Sequence, residues 1–106
     1  MRNTPHSIEV LRRQLVDEVD GVPLYDWPRF TVVPGWFSFL DAEELSLWQE
    51  QRVTASARIP PTVALLTTDR MRVLSPLHRS LAGQWNVVTV RYAGEHLRAM
   101  LRRTSA

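Results

Sequence analysis

Hydrophobic positions early in the chain recur at helical spacing. Ile8, Leu11, Leu15 and Val19 lie three and four residues apart, which predicts an amphipathic helix over about residues 7–20 with Ser7 as N-cap and Gly21 as its stop. Glu9 and Arg13 would form an i,i+4 pair on its wet side. After Gly21 the pattern breaks. Pro23, Pro28 and Pro34 exclude a helix, and Pro34-Gly35 marks a turn or bulge. The expectation for about residues 21–40 is an irregular aromatic and proline-rich arm, with a strand near Phe30 to Val33 that resumes at Trp36 to Leu40.

Asp41 is placed to open a second helix, with Glu43 and Glu44 at the positive end of its dipole and Pro60-Pro61 beyond its end. Residues 62–67 read as a buried strand. Arg70 to Leu74 reads as another, joined to it by a hairpin loop at residues 67–70. Ser75-Pro76 is a good helix start and Gly83 a good stop. The β-branched run from Trp85 to Tyr92 reads as a strand. A last helix is expected from Glu95 to Arg103, with Leu97, Met100 and Leu101 facing inward.

With the first helix set aside, the order is strand, helix, strand, strand, helix, strand, with a helix appended. It predicts an α+β, ferredoxin-like (split βαβ) antiparallel sheet with an extra N-terminal and C-terminal helix. If residues 70–74 are loop, a small three-stranded α/β sheet results. The 106 residues suit a single domain: the N-terminal helix, the arm, and an α/β core from about residue 41 to 106.

Composition narrows the chemistry. Cysteine is absent, which excludes disulfides and thiolate sites and favours a reducing, cytoplasmic setting. Residues 1–10 lack the apolar run of a secretory signal, and no apolar stretch approaches the roughly 20 residues of a membrane-spanning helix. All 13 basic side chains are arginine, which excludes lysine Schiff-base chemistry and phosphate-loop lysines and reads as GC-rich coding. Net charge is only +2 despite the pI near 9.9, so the placement of charge matters more than its total.

The search for catalytic patterns is mostly negative. His6, His78 and His96 show no two-ligand helical spacing, so no metal is expected, and no glycine-rich loop points to a cofactor. Ser75, Ser80 and His78 read as a cap and surface residues. Glu43-Glu44 already has a capping role. Asp69 with Arg70 and Arg72 is the best residual hint of a catalytic centre.

Two constellations remain. Six of the nine aromatic residues fall between Gly21 and Leu40, and Tyr25, Trp27, Phe30, Trp36 and Phe37 are the expected partner-binding set. Arg98, Arg102 and Arg103 on the C-terminal helix, with Arg91 just before it on the strand, form the alternative, a nucleic-acid-binding surface. The favoured function is a small non-catalytic regulatory or accessory protein, such as a bacterial or bacteriophage inhibitor or immunity-type factor. It would bind another protein, as a homodimer or with a different partner. Nucleic-acid binding is the second reading, and a small ferredoxin-like enzyme or ligand-binding domain the third.

Overall fold

The computed structural model describes residues 5–74 and 79–104, and its architecture is a closed barrel. The elements in chain order are β1 (His6–Leu11), β2 (Gln14–Val19), β3 (Val22–Asp26), β4 (Arg29–Phe39), α1 (Ala42–Leu47), a 3₁₀ turn (Gln49–Gln51), β5 (Ala55–Ile59), β6 (Arg70–Val73), a second 3₁₀ turn (Arg79–Leu81), β7 (Trp85–Ala93) and β8 (His96–Arg103). Six strands close in the order β1-β4-β5-β8-β7-β6, with β6 returning to β1, and every pairing is antiparallel. β2 and β3 form a separate two-stranded sheet.

Period-two alternation builds the barrel interior. Ile8 and Val10, Val33 and Phe37, Met71 and Val73, and Leu97, Ala99 and Leu101 all point inward and are buried. Register sets two small residues between larger ones: Phe37 faces Ala57 across β4 and β5, Ala57 faces Ala99 across β5 and β8, and Ala99 faces Val90 of β7. Such alternation fits side chains into a narrow barrel. Trp85 fills the remaining space, edge-on to Phe37 and Phe39, with its indole N–H donating to the Leu81 carbonyl at 3.1 Å. A smaller second layer lies outside the wall, where Met100 and Val88 pack under Leu40, Trp48 and Val53 around α1.

These findings overturn both predicted architectures, the ferredoxin-like sheet and the three-stranded α/β alternative. Strand accounts for 56% of the described residues and helix for 12%. The predicted helix over residues 7–20 is β1, β2 and the bend between them. Ile8 and Val10 alternate at period two into the core, while Leu15 and Val19 lie exposed in a different sheet, so their helical spacing was coincidental. The predicted last helix is β8: Leu97, Ala99 and Leu101 face the interior, and Met100 is buried on the opposite face by the layer around α1. That double burial mimics a helical stripe. Residues 62–67 are turn and coil, fixed by Asp69, whose backbone N–H donates to the Leu66 carbonyl at 3.0 Å.

Other expectations hold. α1 begins where expected, with Asp41 Oδ1 accepting from the Glu44 amide at 2.8 Å. β6 and β7 occupy the predicted positions. The Ser75-Pro76 helix start lies outside the described residues; Arg79–Leu81 form one 3₁₀ turn. Among the described residues no helix is long and apolar enough to cross a membrane.

Candidate functional site

The β2–β3 hairpin is the most exposed part of the fold. Asp20 (φ +52°) and Gly21 (φ +78°) form a two-residue turn of the type that suits strand twist, closed by the Val19–Val22 pair. Every residue of both strands is exposed, including Leu15, Val16, Val19, Val22, Leu24 and Tyr25. Alternation puts Val19, Val22 and Leu24 on one face and Leu15 and Tyr25 on the other. The long dimension of the molecule, 53 Å against 29 Å in the other two directions, accords with a projecting arm. Each barrel strand has two neighbours over at least part of its length, whereas β2 and β3 pair only with each other and keep an open edge on their outer sides.

The root of this arm is rigidly built. Arg12 donates from Nε to Asp69 Oδ1 at 3.1 Å and from Nη2 to Asp69 Oδ2 at 2.9 Å and the Ala64 carbonyl at 2.6 Å. The hydrogen bond and charge of Asp69 outweigh burial and raise the Arg12 pKa further. Arg12 also lies 3.8 Å from the Phe30 ring centroid. Trp27 donates its indole N–H to the Thr68 carbonyl at 3.0 Å and stacks against Arg70 at 3.6 Å. Asp69 is only 1% exposed, and both its carboxylate oxygens are taken up by Arg12 and the Leu66 amide.

Beside the root, Glu9 faces outward from β1 yet is only 2% exposed, because Arg29 of β4 and Arg72 of β6 cover it. Arg29 Nε donates to Glu9 Oε2 at 2.5 Å, and Arg72 Nη2 stands 2.5 Å from Oε1 as an ion pair outside good hydrogen-bond geometry. Burial pushes the Glu9 carboxyl up, but the two arginines outweigh it and hold the pKa below its ordinary 4.5.

A second surface lies on the outer wall. Cross-strand register aligns Trp36 of β4 with Arg58 of β5, Arg58 with Arg98 of β8, and Arg98 with Arg91 of β7. Three arginines thus sit in one row beside an exposed tryptophan. Glu44 of α1 accepts from Arg98 Nη2 at 2.8 Å, while Arg98 Nε is buried without a partner. No ion pair reaches Arg58 or Arg91 among the described residues. Trp36, Ser56, Arg58 and Arg98 line a cleft of about 310 Å³ at this row, together with the carboxylates of Asp41 and Glu44.

The sequence-derived sets are thereby redistributed. Tyr25, Phe30 and Trp36 are exposed and Trp27 is half-buried, whereas Phe37 is a core residue and leaves the partner-binding set. Arg91 and Arg98 do come together, Arg91 on the expected strand and Arg98 on a strand in place of a helix. Arg102 and Arg103 lie outside the row, and Arg103 is occupied by Trp85 and the carbonyls of Ser80 and Ala82. Arg58 and the apolar hairpin were missed. The available signals were the Ala55-Ser56-Ala57-Arg58-Ile59 alternation and the Asp20-Gly21 dipeptide between apolar residues. His6 accepts from the Phe37 amide at 3.2 Å, and His78 falls outside the described residues.

No protein-family model matches this chain, and no curated protein matches it. Its fold is similar to that of protein SF1141 from Shigella flexneri 2a, known from a solution structure. The TM-score is 0.70 over 96% of this chain and 94% of that one, with 16% identity, so the similarity is one of fold.

Proposed function

We propose that this chain is a protein-binding accessory module that uses the β2–β3 hairpin as its docking arm. The observation that carries this reading is the apolar content of the arm: six large apolar side chains, on both faces of a two-stranded sheet, stand in solvent. An isolated two-stranded sheet is marginally stable, and exposed apolar groups concentrated on an open edge mark an interaction site. The exposed Phe30, Val32 and Trp36 on β4 extend that surface onto the barrel.

A second reading, nucleic-acid binding, is favoured by the in-register arginine row beside Trp36, since arginine and an aromatic face suit phosphate and base respectively. Photo-crosslinking residues installed at Val22 and Leu24, with Glu50 of the first 3₁₀ turn as an exposed control, separate the two. The docking-arm reading expects nuclease-insensitive protein adducts from the hairpin positions and none from the control. Absence of hairpin adducts, or adducts that nuclease removes, would overturn it.

A further inference from the structure

We propose that the partner of the hairpin is a second copy of this chain, the acidic tip of one copy seating on the Arg58–Arg98–Arg91 row of the next. This inference rests on the docking-arm reading above. The tip carries Asp17, Glu18 and Asp20, all exposed and without an ion pair among the described residues. The row carries three arginines in direct cross-strand alignment, an unfavourable arrangement. Glu44, paired with Arg98, and Asp41, beside Arg58 and Arg98 in the same cleft, offset it in part, while Arg58 and Arg91 keep no ion pair among the described residues. Apolar groups accompany the charges on both sides. Val19, Val22 and Leu24 flank the acidic tip, and Trp36 stands at the end of the row beside Arg58.

The contact must run between copies. The arm leaves the barrel where β1 and β4 end their pairing at Leu11 and Arg29, and Trp36 lies seven residues further along β4. At about 3.3 Å per residue that is about 23 Å from the root, in the direction away from the arm. No tip can reach its own row.

A two-fold pairing of hairpin edges fits less well. Glu18 and Pro23 follow the closing Val19–Val22 pair and form the next, non-hydrogen-bonded pair, so the proline nitrogen faces the outer edge and offers no donor. Pairing β2 with its copy would bring Asp17 and Glu18 of both chains together. Tip on row is a heterologous contact, and it generates a ring if the rotation closes and an open chain if it does not.

The test uses two neutralised variants of the full chain, D17N/E18Q and R58Q/R91Q, each checked for fold by circular dichroism, with mass read by light scattering and sedimentation. Wild type should assemble at low salt and dissociate as salt rises. Each variant alone should weaken assembly by about tenfold or more. Their mixture should form a 1:1 dimer and nothing larger, because only one intact tip and one intact row remain. A wild type that stays monomeric at low salt overturns the second-copy partner, and hairpin crosslinks to a different protein would then leave the docking-arm reading standing. Variants that assemble as wild type does, or a mixture without the 1:1 dimer, also overturn it. So does a monomeric chain that binds a single-stranded oligonucleotide and loses it with R58Q/R91Q, which would assign the row to nucleic acid.

Discussion

Arg12 and Asp69 stand 57 positions apart and meet through a bidentate pair, with the carboxylate fully buried and the guanidinium partly so. The pair joins the root of the hairpin to the turn before β6. Asp69 Oδ2 also accepts from the Leu66 amide at 2.9 Å, so a single carboxylate organises both segments. Removing one member of a buried pair leaves the other uncompensated, a loss of about 3–5 kcal/mol when both are deeply buried. Partial exposure of Arg12 lowers this, and D69N should cost about 2–3 kcal/mol by urea denaturation. R12M/D69N should cost less than the sum of the single variants, since the double variant leaves no lone charge.

Glu9 supplies a pH dependence whose sign follows from its depressed pKa. A carboxyl that binds its proton less readily folded than unfolded adds stability above its unfolded pKa, and loses it as pH falls through the folded value. The contribution should therefore be complete near neutrality and decline below about pH 4.5. Denaturation of wild type and E9Q between pH 7 and pH 3 should show the wild-type advantage shrinking in acid. A constant difference across that range would exclude a charged Glu9 between Arg29 and Arg72.

Gly35 has the closest surroundings of the four glycines. A methyl group there would collide with the Arg58 carbonyl and stand 2.9 Å from both Ile59 Cγ2 and Ile8 Cδ1. Since one obstacle is backbone, relief requires β4 and β5 to separate, and G35A should lose about 2–3 kcal/mol by the standard of overpacked cores. G21A at the hairpin tip meets nothing within 4 Å and is strained only by φ, so it should cost about 1 kcal/mol. Equal losses in the two variants would place the close approach elsewhere.

The sequence was most legible where alternation was uninterrupted, and least legible where two surfaces bury one strand. Trp85 to Tyr92 carries its β-branched character openly, and Asp41 announces α1. In β8, by contrast, Leu97, Ala99 and Leu101 fill the barrel while Met100 fills the outer layer, and the combined pattern has a helical period. Near the amino terminus the local signal was present. Asp20-Gly21 between Val19 and Val22 is a strong hairpin signature, but helical spacing from Ile8 to Val19 drew Gly21 into the role of a helix stop. The arginine row was legible only in part, because adjacency between Arg58, Arg98 and Arg91 exists only after three strands pair in register.

Arg91 and Arg103 lie on neighbouring barrel strands and are both exposed, yet they should respond differently to truncation. Arg103 sits directly across from Trp85, with its guanidinium carbon 4.1 Å from the ring centroid. It also donates to the Ala82 carbonyl at 2.5 Å and to that of Ser80, which ties the 3₁₀ turn to the strand beneath. A surface cation–π contact is worth about 0.5–1 kcal/mol and a charged hydrogen bond somewhat more, so R103A should lose about 1–2 kcal/mol. R103K should recover little of it, because an ammonium cannot match two carbonyls and a ring face with one planar fork. Arg91 has no such contacts, and R91A should stay within about 0.5 kcal/mol of wild type by urea denaturation. Any effect of Arg91 on self-association would then reflect the surface of a folded barrel, whereas an Arg103 variant must first be corrected for its lost stability. If R91A proves the more destabilising of the two, Arg91 has a structural role and the row cannot be tested by its removal.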